Sequence, residues 1–326
     1  RRAAQVEISP DDQYAYLAVI ASGDGVWRIN LDTLSVEGPK LFTGNMSSVF
    51  FSFFQKSGMT LSHDGETLIT CNSFDDTVTI IDATSWSVET TFPVGQTPAR
   101  AAFSEDDSLI YVTNRDSNTI SVINNNGASS SVVDTINVGD QPYLMAMRDD
   151  LNRMFVMNWG DETIGVVDLT SNTQISTISL PDRPNGMALH PDQCLLVSSG
   201  NASATVGPDG FSQTQSGEVS VIDTDSNTIT NDISTGKAGA MLALAENGSV
   251  AAVPSPTGDG LTLIEIGEPD CPEDIAGNDQ LVNVEDLLAL LANWGSDGNG
   301  SDIAEPNDTV NVADLLALLA AWGPCE

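Results

Sequence analysis

Residues 109–124 read LIYVTNRDSNTISVIN, and residues 153–168 read RMFVMNWGDETIGVVD. The two stretches match position for position. Each has an apolar run closing on Asn, a short polar turn, then Thr or Asn-Thr leading a second Val/Ile-rich run. LITCNSFDDTVTIID (68–82) is an earlier copy, GVWRIN (25–30) begins the series, and EVSVID (218–223) and LTLIEI (261–266) continue it. Around each pair lie a preceding turn such as SHDGE, SEDDS or HPDQC and a following strand that ends near VG-x-x-P. Each unit therefore holds four short strands, with period-2 alternation and turn residues between them, recurring about every 42 residues. Such units cannot bury their faces alone, and stacking them around an axis gives a mainly β propeller of four-stranded blades.

Six repeats begin near residues 5, 59, 99, 143, 185 and 241, the last with three recognisable strands. Six or seven blades fit this count. The chain opens RRAAQ, without Met and without an apolar signal region, and reads as a mature or truncated piece.

Composition narrows the function. Acidic residues outnumber basic ones 46 to 11, for a net charge of −35. That field repels nucleic acid and anionic membrane surfaces. No apolar run approaches the roughly 20 residues of a membrane helix. All basic residues lie before residue 271, and residues 271–326 hold acids only, so a boundary falls near GEPDCPED (267–274). The expected domains are 1–269, the propeller, and 270–326.

The words YVTN (111–114), NTISVI (118–123) and the VG-x-x-P turns (94–98 and 138–142) resemble the YVTN-type propeller repeats of bacterial surface and secreted proteins. The likeness spans roughly residues 5–266. It implies the fold more than the activity, because propellers host many functions.

Strands that run up and down place the first-to-second and third-to-fourth turns of every unit on one face. The remaining connections lie on the other. Both long insertions, FTGNMSSVFFSFFQKSG (42–58) and SGNASATVGPDGFSQTQSGE (199–218), belong to that second face. So do Phe74, Trp159, Arg100 and Arg183, and the Phe cluster that includes Phe51 and Phe54. Aromatic rings beside Arg, Asn and Gln suit a glycan, although the Phe cluster also reads as a plug packed over the ring. A lactone-hydrolysing propeller uses Glu, His and Arg in its channel. Here His63 and His190 both sit in turns of the opposite face and read as turn residues. Cys71 and Cys194 read as small strand residues. The chain is thus expected to bind a ligand without catalysis. A lactonase-like or other hydrolase is the alternative, and a structural surface-layer spacer the third reading.

The tail duplicates itself: NVEDLLALLANWG (283–295) returns as NVADLLALLAAWG (311–323). The Leu and Trp spacing predicts two short helices sharing an apolar stripe. Ahead of each lies an oxygen-rich loop, DIAGNDQLVNVED (274–286) and DIAEPNDTVNVAD (302–314), the chemistry that wraps Ca²⁺. The expected ligands are Asp274, Asp279, Asn283 and Asp286, then Asp302, Asp308, Asn311 and Asp314. Without metal, the same loops would be acidic turns capping two helices. The paired loops and helices resemble the type I dockerin module. That likeness implies two Ca²⁺ sites and a cohesin-like or other surface protein as partner, hence a secreted or cell-surface location. The loops are one residue longer than the usual 12 of a calcium loop, and Val284-Glu285 and Val312-Ala313 stand where many dockerins present Ser-Thr. Under this resemblance Cys271 and Cys325 bracket the module, either as a disulfide in an oxidising compartment or as two free thiols.

Overall fold

The structure is a computed structural model. It describes residues 2–20, 24–46, 58–190, 194–207, 210–235, 242–245, 248, 250–255, 260–265, 281–282 and 323–324. The chain divides into two compact units, Arg1–Ile264 and Glu265–Glu326.

The first unit is a succession of antiparallel sheets, each made of consecutive strands paired in chain order. The first sheet is β1 (Arg2–Ile8), β2 (Tyr14–Ile20), β3 (Gly25–Asn30) and β4 (Ser35–Phe42). The second is β5 (Met59–Leu61), β6 (Thr67–Asn72), β7 (Thr77–Asp82) and β8 (Ser87–Pro93). The third is β9 (Pro98–Phe103), β10 (Leu109–Asn114), β11 (Thr119–Asn124) and β12 (Ser131–Asn137). The fourth is β13 (Pro142–Arg148), β14 (Arg153–Asn158), β15 (Thr163–Asp168) and β16 (Thr173–Ser179). The fifth is β17 (Pro184–Leu189), β18 (Leu195–Gly207), β19 (Gly210–Asp223) and β20 (Thr228–Ser234). A sixth has three strands, β21 (Ala243–Leu244), β22 (Val250–Ser255) and β23 (Gly260–Glu265). From sheet to sheet the first strands touch in order, β1 with β5, then β9, β13 and β17. They form the inner wall of a β-propeller.

The second and third strands of a sheet are buried on both faces, where the sequence reading expected simple alternation. LIYVTN in β10 and TISVIN in β11 are buried almost throughout. The reason is the stacking. Ile110, Val112 and Ile123 pack with Ile69, Cys71, Val78 and Ile80 of the second sheet. Tyr111, Ile120 and Val122 pack with Met154, Val156 and Val167 of the fourth. Alternate residues thus feed two different cores. Each fully buried Ile or Val contributes about 1.5–3 kcal/mol by burial. The outermost strands alternate or lie open, as in β12 and β16.

The outermost strands also carry a repeated irregularity. The pairing of third with fourth strand shifts at Ile80/Ile81, Val122/Ile123, Val166/Val167 and Val221/Ile222. A bulge at one place in sheet after sheet bends and twists an edge strand, which protects it from pairing with other chains.

The asparagine that closes the second strand of the second, third and fourth sheets is a buried lock. Asn72, Asn114 and Asn158 are fully buried. Asn114 Nδ2 donates to Thr119 Oγ1 (3.1 Å) and Ser121 Oγ (2.9 Å). Asn72 Nδ2 does the same to Thr77 Oγ1 (3.0 Å) and Thr79 Oγ1 (2.9 Å), and Asn158 Nδ2 donates to Thr163 Oγ1 (3.2 Å). The glycine of the preceding inter-sheet turn lies flush on this amide. A Cβ at Gly44, Gly95 or Gly139 would sit 2.7, 2.6 or 2.5 Å from an amide atom of Asn72, Asn114 or Asn158 respectively. The turn glycine and the asparagine that closes the second strand recur together because each fills the space the other leaves.

On the opposite face the first turns fold around one carboxylate. Ser104 Oγ donates to Asp106 Oδ1 (2.7 Å), Ser108 donates to it from both N and Oγ, and Leu109 N donates to Ser104 Oγ. Ser9 with Asp11 and Ser62 with Asp64 repeat the arrangement.

Of the second unit, the described part is a ladder of β24 (Leu281–Val282) with β25 (Gly323–Pro324), pairing Leu281 with Pro324 and Val282 with Gly323. The two predicted helices, the eight calcium ligands and both Cys271 and Cys325 lie outside the described residues.

Candidate functional site

The face formed by the second-to-third-strand turns and the inter-sheet connections holds the predicted ligand residues. Its backbone is cross-stitched. Trp159 N donates to Gln141 O, Gly160 N to Asp140 O, Arg115 N to Thr97 O and Phe74 N to Asn45 O. Asp140 N donates to Asp161 Oδ2 at 2.6 Å, and Gln141 N to Asn118 Oδ1 at 3.0 Å. Side chains here therefore stand on a rigid base.

Two of the four described ligand candidates come together. The Arg183 guanidinium lies over the Trp159 ring, 4.3 Å from its centroid. Arg183 Nε is also 3.7 Å from Glu162 Oε1. Trp159 sits in the β14–β15 turn and is 37% exposed, with Arg183 and Glu162 similarly open. The Arg183 carbonyl accepts from Gly200 N at 3.0 Å, and its amide donates to Asp182 Oδ1 at 2.8 Å. Trp159, Glu162 and Arg183 form an aromatic–charged platform at the junction of the fourth and fifth sheets. A cation over an indole face contributes about 0.5–1 kcal/mol at an open site, enough to orient both groups.

Arg100 belongs to the inner wall. It lies on β9, with its Nη2 donating to Tyr143 Oη at 2.9 Å and its guanidinium 4.8 Å from the Tyr143 ring centroid. Thr113 Oγ1 donates to Tyr143 O at 3.0 Å and accepts from Arg100 N, binding the third and fourth sheets together. Tyr143 was missed by the sequence reading. The available signal was its place one residue after the Pro of a VG-x-x-P turn, on the strand next to the one bearing Arg100.

Phe74 is 48% exposed in the β6–β7 turn of the second sheet, two sheets from Trp159. Phe51 and Phe54 lie outside the described residues.

Both histidines tie one sheet to another. His63 Nδ1 is 2.7 Å from Asp107 Oδ1, and Asp107 also accepts from His63 N and Asp64 N, tying the first turns of the second and third sheets. His190 is buried, with Nε2 3.1 Å from Gly248 O, reaching the sixth sheet. Both occupy the face opposite Trp159 and Arg183. That face has a further lock the sequence reading missed. Arg148 is buried at the end of β13, donates to both carboxylate oxygens of Asp150 (2.8 Å each), and also reaches Thr224 and Asp225 of the fifth sheet.

The fifth sheet breaks the buried lock. By register, Ser199 stands where the second, third and fourth sheets have Asn, Glu218 where they have Thr, and Asp232 where they have Thr on the outer strand. Ser220 Oγ donates to Asp232 Oδ1 at 2.6 Å. Burial, then the nearby Asp232 and Asp182 carboxylates, hold the Glu218 carboxyl above its ordinary range. Among the described residues no group of three or more His, Cys, Asp or Glu is arranged to hold a metal ion. Among them, too, no helix is long and apolar enough to cross a membrane.

A family model described as lactonase, 7-bladed beta-propeller, matches residues 29–143. No curated protein matches the chain. Several solved structures share its fold. A functionally unknown protein from Desulfotomaculum acetoxidans has 13% identity, with 81% of this chain and 82% of that one covered and a TM-score of 0.62. A candidate 6-phosphogluconolactonase from Bacteroides uniformis has 14% identity, coverage of 81% and 80%, and a TM-score of 0.60. Dihydro-heme d1 dehydrogenase NirN has 17% identity and a TM-score of 0.61, but this chain spans only 54% of its length.

Proposed function

We propose that the chain is a YVTN-type propeller that binds a glycan through the platform of Trp159, Glu162 and Arg183, without catalysing a reaction. A dockerin-like tail would hold it on a cohesin-like or other surface protein outside the cell. The observation that carries the ligand reading is the half-exposed indole of Trp159 fixed by the guanidinium of Arg183. The ring's open area can stack on a sugar, while the flanking carboxylate and guanidinium accept from and donate to its hydroxyls. Calorimetry of the full chain against soluble polysaccharides tests it. Binding that falls at least tenfold in Trp159→Ala is the expected result. Equal binding by the variant, or no binding across neutral and acidic polysaccharides, would reject it.

The tether rests on the duplicated acidic tail. The pairing of Leu281–Val282 with Gly323–Pro324 supports a unit whose two halves close on each other. Ca²⁺ titrated into the EDTA-treated full chain should give two binding events, one lost in Asp286→Ala and the other in Asp314→Ala. One event or none would reject the pair of sites.

The family match over residues 29–143 favours a second reading, a lactone hydrolase. Release of acid from a panel of lactones, abolished by Arg100→Ala or Arg183→Ala, would support it over the binding reading.

A further inference from the structure

The insertion at 199–218 is a regular ribbon. β17 pairs with β18 only as far as Ser199, and β20 pairs with β19 only from Glu218 onward. At its base Gly200 N still donates to Arg183 O and Thr235 N to Gly217 O. From Asn201 opposite Ser216 to Gly207 opposite Gly210, β18 and β19 pair only with each other among the described residues, in unbroken register. At about 3.4 Å per residue this carries the ribbon roughly 20 Å beyond its sheet. The edge along Gly210–Ser216 continues the β20 side of the sheet, its outer side. Natural free edges are blunted by charge, proline or a bulge. GFSQTQS (210–216) has no charged residue, no proline and no register shift. It is a charge-free strip on a chain of net charge −35.

We propose that this outer edge pairs with the same edge of a second copy, antiparallel across a two-fold axis at Thr214. Residues 212–216, SQTQS, read the same in both directions. Pairing about Thr214 sets Ser212 opposite Ser216, Gln213 opposite Gln215 and Thr214 opposite itself. Like can face like here because Ser, Thr and Gln each donate and accept. A two-fold interface demands such self-complementarity. Charge selects the same occupant. Two strongly acidic chains repel wherever acids face acids, and this edge lets their backbones approach without that penalty. The product is a four-stranded sheet, β18-β19-β19-β18, which removes the free outer edge of a ribbon that is marginal as two strands.

Sedimentation equilibrium of the full chain tests this at low and at high NaCl, with calcium held constant. A monomer–dimer equilibrium is expected, tighter at high salt because the general repulsion is screened. Thr214→Asp sets like charges directly opposite and should weaken the dimer at least tenfold, while Thr214→Ser preserves it. Thr214→Cys should be captured as a reducible dimer under mild oxidation, and Thr205→Cys, on β18, should not. Equal melting temperatures among the variants show that the fold is intact. A monomer in both salts at roughly 0.1 mM chain, or a dimer indifferent to Thr214→Asp, overturns the proposal.

Discussion

The contact between turn glycine and buried asparagine predicts a specific pattern of non-additivity. Gly95 has no left-handed backbone angle to explain it. Its Cβ would lie 2.6 Å from Asn114 Cγ and 2.7 Å from Asn114 Cβ, too close for a real contact, and 2.6 Å from Ser117 Oγ, a terminal hydroxyl that can turn away. Gly95→Ala should therefore cost about 2 kcal/mol as overpacking against a fully buried neighbour. Asn114→Gly removes that neighbour. It also loses two hydrogen bonds of about 1 kcal/mol each and adds a flexible residue in a strand at up to about 1 kcal/mol, so it should cost about 3 kcal/mol. If the glycine exists only to clear the asparagine, the new methyl group fits the space the amide vacates. The double variant should then cost about 3 kcal/mol, not the additive 5, a coupling of about 2 kcal/mol. Urea unfolding of the four proteins, followed by Trp fluorescence and fitted with a shared slope, measures it. An additive double variant would show that the glycine answers some other demand, and the explanation of the paired glycine and asparagine would fall with it.

Arg148→Met keeps the buried volume but strands Asp150 and Thr224, and should destabilise by about 2 kcal/mol, read from the same urea curves. Asp106 is held down to about 2, from the usual 3.8, first by the Ser104 hydroxyl and then by Ser108. A depressed carboxylate stabilises the fold above its ordinary pKa, and that contribution is lost as pH falls from 3.8 through about 2. Carboxyl NMR should show its titration rising toward 3.8 in Ser104→Ala/Ser108→Ala, with the acid-unfolding midpoint moving up; an unchanged titration would refute the cause. Burial pushes the Cys71 thiol up to about 12, against the pull of Arg100. Cys71 should resist an alkylating reagent at pH 8 in the native chain and react once urea unfolds it, which mass spectrometry of the peptide would show.

Much of the propeller is legible because repetition stands in for an alignment. The units announce four strands each, and five of the six sheets have four. The two-sided burial of β10 and β11 is harder to read. An apolar run such as LIYV does not say that its alternate residues serve different neighbours until the sheets are stacked. The platform was half visible: Trp159 and Arg183 could be placed on one face by turn topology, but their 4.3 Å contact depends on the course of the chain between them. Tyr143 and Arg148 were invisible for the same reason, because their partners lie on other strands or other sheets. The insertion at 199–218 looked like a loop, since its Ser, Thr, Ala and Gln residues make neither a clear apolar stripe nor a clear alternation. Its order comes from continuing a register already set by Leu195 and Ile222.

The fifth sheet connects these threads. Where the third and fourth sheets join Gly95 to Asn114 and Gly139 to Asn158, the fifth has Pro181 and Ser199 at the corresponding places. Both partners of the lock changed together, as a contact that fills shared space requires. Losing the asparagine amide removes the donor that satisfies the Thr hydroxyls of the second, third and fourth sheets. In its place stand Glu218 and Asp232, and Ser199 Oγ is buried with no hydrogen-bond partner among the described residues. The lock normally closes the second-to-third-strand turn tightly, and with it gone the two strands have no reason to turn at residue 200. They run on instead as the ribbon. The same junction carries Asp182, Arg183 and, from the fourth sheet, Trp159 and Glu162. Departures from a repeat that cost local stability concentrate where a function compensates for them. Here the departures, the ribbon and the aromatic platform fall on one face of adjoining sheets, so substitutions that restore the lock (Ser199→Asn with Glu218→Thr and Pro181→Gly) should stabilise the propeller while diminishing both ligand binding and self-association. A restored lock that left both activities intact would separate the broken repeat from the function assigned to this face.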